Sequence, residues 1–202
     1  MFAGEPSPAV TGVAAFDFDG TLIDGDSFVP FLVSVVGKRA LAGAVVRSTP
    51  TLALGGRRDV MKAALIIRLL RGYPYAELRA RGEAFAAGLC AQVRPSMVEL
   101  MAWHRDQNHR LAIVSASLEV YLSPLGDRLG FDGILATGLE VGDDGRLTGR
   151  LQGANVRRAE KAARLRGWLE GELDGAPYEL WAYGDSAGDK ELLAMADHPR
   201  RV

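Results

Sequence analysis

Four short apolar runs, each ending in polar or turn-forming residues, constrain the fold of this chain more than any other feature. They cover residues 13–18, 111–117, 133–137 and 178–185. Stretches with the apolar spacing of helices separate them. Nearly continuous apolar runs are typical of strands buried on both faces, and alternation with helices predicts a parallel sheet. We therefore expect an α/β fold.

A helical insertion interrupts this alternation directly after the first run. From residue 27 to 92, stretches rich in Ala, Leu and Val recur without strand patterns, with breaks at Gly37, Pro50, Gly55-Gly56 and Gly72–Pro74. These breaks predict four helices. We expect two domains: a core formed by residues 12–26 and 93–202, and a smaller cap formed by residues 27–92.

The remaining elements follow from periodicity and turn residues. We predict helices at 94–110, 118–129 and 156–170, and a short final helix within 187–196. The Asp-Gly pair within residues 139–151 predicts a hairpin.

The composition excludes several classes of partner. A formal net charge of −1 gives no basic footprint for nucleic acid. The single cysteine, Cys90, rules out an internal disulfide and fits a reducing compartment. The N-terminus has no secretory pattern, and residues 28–36 and 40–54 are too short or too interrupted to span a bilayer. We expect a soluble cytoplasmic protein without a membrane partner.

Carboxylates gather where the first and last predicted strands end. Asp17 and Asp19 follow the first strand, and Asp185 and Asp189 follow the last. Such acids are also common in turns. However, parallel strands end at one edge of a sheet, and like charges there raise each other's pKa unless a cation intervenes. The pattern favours Mg²⁺ held by Asp17, Asp19 and Asp185, with Asp189 orienting a metal-bound water or a lysine.

Two further residues suit an anion at the same edge. Ser115 ends the second strand, so its hydroxyl and the amides that follow it, beginning with Ala116, open onto this edge. Lys161 lies on the helix before the last strand. Alone, the serine is typical of a helix N-cap and the lysine of a solvated surface. Together with the acids they predict a cradle for phosphate.

Four ordered motifs make the chain resemble the haloacid dehalogenase superfamily, in particular its phosphoserine-phosphatase-like subfamily IB. They are DFDGT at 17–21, VSAS at 114–117, AEKAARLRGW with Lys161, and GDSAGD at 184–189. The resemblance extends over nearly the whole chain from Val13. It implies a Rossmann-like three-layer core with a parallel sheet and a helical-bundle cap of the C1 type inserted after the first strand.

The resemblance also implies a reaction. Asp17 would attack phosphorus and form an aspartyl-phosphate, while Asp19 would act as general acid and then as general base. Superfamily members that cleave carbon–halogen bonds lack the second acid, so its presence favours phosphate chemistry. In the family Asp19 binds Mg²⁺ through its backbone carbonyl, beside two carboxylates. The implied supporting residues are the metal ligands Asp17 and Asp185, the phosphate-binding Ser115, Ala116 and Lys161, and Asp189 and Thr21.

The substrate is less constrained than the reaction. Phosphoserine phosphatases use a Glu nine residues after the nucleophile, together with a cap Arg, and this chain has Asp26 at that position. Asp26 could equally be an acid at the N-terminus of the first cap helix. Asp24 is interpreted as a solvated turn residue. The candidate cap cations, which could also be surface charges, are Arg57, Arg58, Lys62 and Arg68. We expect a small phosphorylated metabolite as partner.

Two other functions stay open at this point. A phosphomutase would use the same intermediate, and a non-catalytic module would bind metal and phosphate without turnover. The sequence predicts no oligomeric state.

Trp103, His104, Trp168 and Trp181 are expected to pack in or against the core. Relatives usually continue with a further strand and helix, so the chain is expected to lack an edge strand, being either naturally short or incomplete.

Overall fold

A computed structural model describes residues 10–53 and 58–202. The first strand is followed by four helices, and strands and helices then alternate except where β4 follows β3 directly. In chain order the elements are β1 (Thr11–Phe16), α1 (Phe28–Ala53), α2 (Arg58–Leu70), α3 (Tyr75–Cys90), α4 (Pro95–Asp106), β2 (Arg110–Leu118), α5 (Glu119–Leu129), β3 (Gly133–Val141), β4 (Leu147–Gln152), α6 (Ala159–Leu173), β5 (Tyr178–Gly184), α7 (Lys190–Ala194) and β6 (His198–Arg201).

The strands form one sheet in the order β4-β3-β2-β1-β5-β6, and every neighbouring pair is parallel except β3 with β4. Phe16, the last residue of β1, pairs with Ile113 of β2 and Tyr183 of β5. The polar residues that follow in all three strands therefore reach the same edge. The predicted α/β fold class is confirmed.

Both faces of the sheet are covered. Along β1, Ala14 and Phe16 belong to a buried cluster with α4, α5 and the helices of the insertion, whereas Val13 and Ala15 belong to a second cluster with α6 and α7. All four side chains are fully buried. This alternation follows from the period-2 geometry of a strand, and it explains why β1 is apolar at every position from Val13 to Phe16.

The insertion contains four helical segments within its described residues. α1 consists of two halves because Gly37 has non-helical angles, φ 81° and ψ 158°, and α2 and α3 follow. The predicted break at Pro50 is not observed, since α1 continues to Ala53, and Gly55-Gly56 lie outside the described residues. α2 packs against β4 and α3 against α5. One buried cluster continues from the sheet into these helices, and the predicted domain boundaries stay a prediction.

The expected absence of an edge strand is wrong. β6 pairs with β5 in parallel, beginning with His198 opposite Trp181. All four residues of β6 are exposed, so the segment has no apolar alternation from which a strand could be predicted. β6 is extended because its backbone forms hydrogen bonds with the otherwise free edge of β5.

The tryptophans lie at the margins of the core. Trp168 and Trp181 are partly buried and pack against the two clusters. Trp103 is 46% exposed and contacts the ring of His104 edge-on, with 4.7 Å between the two ring centroids. Of the four residues expected to pack in or against the core, only His104 is fully buried.

His104 should make the stability of the protein depend on pH. Its Nε2 lies 2.9 Å from the Tyr183 hydroxyl and its Nδ1 lies 2.8 Å from Nδ1 of His109. Burial, with a smaller contribution from His109, lowers the pKa of His104 to about 4. The unfolded chain, with an ordinary pKa of about 6.5, therefore takes up a proton first as the pH falls. The stability contributed by neutral His104 is fully present above pH 6.5. It decreases progressively as the pH falls from 6.5 to 4.

We expect the stability advantage of the wild type over His104→Gln to shrink by about 3 kcal/mol between pH 7 and pH 4. Urea unfolding at several pH values measures this difference. The same substitution at the exposed His198 serves as control. A stability difference for His104→Gln that is constant across this range would contradict the prediction.

Candidate active site

Asp17, Lys161 and Asp189 form a buried ion cluster at the carboxyl edge of the sheet. The backbone of Asp17, directly after β1, donates to the carbonyl of Tyr183 at 2.9 Å. The first turn of α6 carries Lys161, whose Nζ lies 2.5 Å from Oδ1 of Asp17 and 2.5 Å from Oδ1 of Asp189. All three side chains are less than a tenth exposed. One cation is therefore held between two acids, away from water.

The two acids of this cluster differ in their protonation chemistry. Burial raises the pKa of Asp17 to about 6, although the ammonium of Lys161 opposes the shift. Burial also disfavours the charge on Asp189, but Lys161 and hydrogen bonds from Ser186 outweigh it and hold the pKa below its usual range. Ser186 donates to Oδ2 of Asp189 from its backbone at 3.0 Å and from its hydroxyl at 2.7 Å. Asp189 is thus the fixed counter-ion of the lysine.

Asp19 lies beside this cluster in a network of hydroxyl groups. It accepts hydrogen bonds from the Ser117 hydroxyl and, at 2.8 Å, from the backbone of Ser27. The Ser27 hydroxyl lies 2.8 Å from the hydroxyl of Tyr121 and 3.2 Å from that of Ser117. Burial raises the pKa of Asp19, and the bonds from Ser117 and Ser27 oppose this shift. Both oxygens of Asp19 are therefore oriented by residues from β2 and from the start of α1.

No site role was predicted from the sequence for Ser27, Ser117 or Tyr121. One observation could have found Ser117, since it lies two residues after Ser115 in the same strand and such residues share a face. No local pattern joins Ser27 to Tyr121, which are 94 residues apart.

Three carboxylates at this edge could hold a metal ion. Ligand oxygens of Asp17, Asp185 and Asp189 all lie within 4.8 Å of one another. Gly20 has φ +80°, and a Cβ there would lie 2.4 Å from Oδ2 of Asp185, so glycine permits the approach of this acid. Such a set of hard oxygen donors fits Mg²⁺. The carboxylate of Asp19, predicted as a ligand, does not belong to this group, and its two oxygens accept hydrogen bonds from Ser27 and Ser117.

A cavity of about 680 Å³ opens above the acids and contains the predicted phosphate-binding residues. Ser115 is buried, and its Oγ accepts a hydrogen bond from the backbone of Ser117 at 3.1 Å. Ala116 lines the cavity and its carbonyl accepts a hydrogen bond from Lys62. Thr21 is fully buried, and its hydroxyl is one of two buried side-chain oxygens in the described residues without a hydrogen-bond partner.

The insertion supplies one wall of this cavity. Lys62 of α2 reaches the core side, where its Nζ also lies 3.0 Å from Oδ1 of Asn155. Asp26 lines the cavity and also caps α1, because its Oδ1 accepts hydrogen bonds from the backbones of Phe28 at 3.0 Å and Val29 at 3.2 Å. The interpretation of Asp26 as a helix N-terminal acid and its interpretation as a substrate contact are thus compatible.

The other charged candidates lie elsewhere. Arg68 is exposed, while Arg57 and the side chain of Arg58 lie outside the described residues. Asp24 is exposed and forms an ion pair with Arg94 at 2.7 Å. Asn155 and Arg157, in the loop before α6, also line the cavity and were not predicted from the sequence. Their place in a polar loop just before the helix of Lys161 is a pattern that could have indicated them.

The fold and the cavity together are those of a haloacid dehalogenase-like hydrolase. The model of that family matches residues 14–194, and the chain belongs to it. The resemblance deduced from the four motifs is therefore confirmed, and the protein belongs to a class of hydrolytic enzymes.

Individual relatives are consistent with this assignment. The chain is 40% identical to protein CicA of Caulobacter vibrioides, over 92% of this chain and 83% of that protein. It is 27% identical to a histidinol-phosphatase of Neisseria meningitidis, over 94% and 89% of the two chains. The crystal structure of a probable phosphoserine phosphatase from Vibrio cholerae has the same fold, with a TM-score of 0.64 at 21% identity over 92% of this chain and 54% of that one.

Proposed function

We propose that this protein is a Mg²⁺-dependent phosphatase that hydrolyses small phosphate monoesters. The observation that carries the proposal is the bond of one buried lysine, Lys161, to both Asp17 and Asp189 at a cavity that Ser115 also lines. Phosphoryl transfer requires chiefly an aligned nucleophile and neutralisation of phosphate charge. The buried Asp17 would be the aligned nucleophile, and the ammonium of Lys161 would neutralise phosphate charge.

Asp17 is the proposed nucleophile. Its oxygen would attack phosphorus and form the aspartyl-phosphate while the ester oxygen departs, and water would then cleave the new acyl-phosphate bond. Lys161 favours the ionised form of Asp17, which the attack requires, and Asp189 keeps the lysine in place. Ser115, the amide of Ala116 and Lys161 would bind the phosphoryl oxygens.

Mg²⁺ would be held by Asp17 and Asp185, with Asp189 nearby and the backbone carbonyl of Asp19 as the further protein ligand. When bound, it supplies positive charge that neutralises the nucleophile and the phosphate together. The cluster of carboxylate oxygens supports this part of the proposal.

Asp19 is the proposed acid and base. A protonated carboxyl must donate to the leaving oxygen, and burial raises the pKa of Asp19 in the direction that this role requires. The same carboxylate would then accept a proton from the attacking water. The serine hydroxyl and the amide bound to its two oxygens keep it in one orientation.

Ser117→Ala should therefore impair the reaction without abolishing it. Loss of one hydrogen bond to Asp19 should lower kcat about tenfold, because a hydrogen bond to a charged group contributes about 1.5–3 kcal/mol. The bond from Ser117 lowers the pKa of Asp19, so its removal should move the basic limb of the pH profile to higher pH. Ser34→Ala, on the exposed side of α1, is the control. An unchanged pH profile would show that Ser117 does not act through Asp19.

The substrate proposal depends on further charged residues of the cavity lining. Asp26, Lys62 and Arg157 belong to this lining, so a metabolite with both an anionic and a cationic group beside its phosphate would be bound well. Relatives named phosphoserine phosphatase and histidinol-phosphatase support a small substrate of this kind. The proposal also includes residence in the cytoplasm. It further assigns residues 12–26 and 93–202 to the core domain and residues 27–92 to the cap domain.

Phosphate release from p-nitrophenyl phosphate and from a panel of metabolite esters, each with Mg²⁺ and with EDTA, tests this function. We expect turnover only with the metal. Absence of turnover on every ester would refute the proposal, and formation of a phosphorylated isomer instead of free phosphate would favour a mutase.

A further inference from the structure

The charges of the first cap segment all have one sign. Residues 27–58 contain five Lys or Arg residues and no Asp or Glu, although the whole chain has a net charge of −1. Lys38, Arg39 and Arg47 of this set are exposed on α1. This segment is therefore a local cationic region on a protein whose other residues carry an excess of acids.

The same segment is apolar and largely uncovered. Residues Phe28–Ser48 are long and apolar enough to cross a membrane by length and composition, with a mean hydropathy of 1.6, yet only 22% of the residues in the apolar 18-residue window are buried. A core helix of similar composition would be mostly buried. A signal sequence would not follow a strand that pairs on both sides, as β1 does with β2 and β5.

The break at Gly37 argues that α1 lies on a membrane instead of crossing it. The halves on either side contain nine and sixteen residues, or about 13 and 24 Å of helix. Neither reaches the thickness of about 30 Å of a hydrocarbon core. The expectation that this segment does not span a bilayer stays a prediction, and it does not address binding at the surface.

The second half of α1 has an outer face with the composition of an interfacial helix. Lys38, Ala42 and Val46 follow one another at intervals of four, so they share a face, and Arg39 and Arg47 flank it. Val46 is 71% exposed, whereas Leu41 and Ala44 point inward and are buried. We call the set Lys38, Arg39, Ala42, Val46 and Arg47 the cap patch.

We propose that the cap patch docks on the surface of an anionic lipid bilayer. Exposed apolar side chains would enter the boundary between headgroups and acyl chains, and the flanking cations would contact the lipid phosphates. The cap patch contains three cations and no acid, which favours an anionic partner. The proposal departs from the expectation of no membrane partner and does not depend on the proposed enzymatic function.

Co-sedimentation with vesicles tests the proposal. The full chain is mixed with vesicles of phosphatidylcholine alone or with about one third phosphatidylglycerol, at low and high salt. We expect binding to the anionic vesicles only, weakened by salt. Because each cation near an anionic surface contributes about fivefold to partitioning, Lys38→Ala with Arg39→Ala should lower binding about 25-fold. Val46→Asp should weaken binding further.

Matched controls separate this surface from general charge effects. Arg166→Ala with Lys190→Ala removes the same charge from exposed positions on α6 and α7, and Val98→Asp changes an exposed valine on α4. These variants should bind vesicles as the wild type does. Equal loss in the controls, or no binding of the wild type to anionic vesicles, would overturn the proposal. Concentration-dependent dimerisation that Val46→Asp abolishes, without vesicle binding, would replace it with self-association.

Discussion

Asp17→Asn should abolish phosphatase activity while leaving the fold intact. An amide cannot form the acyl-phosphate, so turnover should fall by on the order of 10⁴-fold or more, as expected when a nucleophile is removed. The substitution also removes a carboxylate whose burial is unfavourable, as its pKa of about 6 indicates. The melting temperature of the metal-free protein should therefore stay the same or rise. Initial rates of phosphate release and calorimetric melting measure the two effects.

Asp24→Asn is the matched control for this prediction. Asp24 lies seven residues later in the same acidic stretch, but it is exposed and paired with Arg94 at the surface. Its substitution should leave the rate within about twofold of the wild type, because exposed ion pairs contribute little. Full activity of Asp17→Asn would exclude this residue as the nucleophile. Loss of activity together with loss of folding would show a structural contribution instead.

Lys161→Met should reduce both stability and activity, in contrast to Asp17→Asn. Removing the cation leaves Asp17 and Asp189 close together, buried and without compensation, and breaking a buried ion pair in this way costs about 3–5 kcal/mol. The lost stability should be partly recovered as the pH falls, because protonation of the two acids removes their repulsion. Chemical denaturation at pH 7.5 and pH 5, together with phosphate release, measures these effects.

A double-mutant cycle isolates the contact. Asp189→Asn combined with Lys161→Met should be more stable than the sum of the single effects predicts, because it leaves only one buried acid. Lys190→Met, at an exposed position on α7, should change the stability by less than about 0.5 kcal/mol. Additive effects in the cycle would contradict the direct coupling between Lys161 and Asp189.

Much of this arrangement could be predicted because strand ends are local in sequence. An apolar run followed by Asp17, Ser115 or Asp185 identifies both a buried strand and the residue at its end. The rule that parallel strands share one carboxyl edge then brings these residues together. The break at Gly37 could be predicted for a similar reason, since glycine is the residue that adopts a positive φ without strain.

Other features could not be predicted because their causes are distant in sequence. β6 has no apolar side that a pattern could reveal, and it forms because β5 leaves an edge to which its backbone can bind. Lys62 was one of four candidate cations in the cap, and only the packing of α2 against β4 turns it toward Ala116 and Asn155. Asp26 had two interpretations; its hydrogen bonds to Phe28 and Val29 show the helix-capping role, and a substrate contact stays a prediction.

The fold class, the family and the acidic, cationic and hydroxyl residues at the strand ends could all be predicted from the amino-acid sequence. These properties follow from apolar periodicity and from short motifs, in which neighbouring residues carry the information. The position of Lys161 between two acids, the orientation of Asp19 by Ser27 and Ser117, and the uncovered outer face of α1 became visible only in the folded chain. Those contacts join residues far apart in the chain, and burial and pKa depend on what surrounds a group in space.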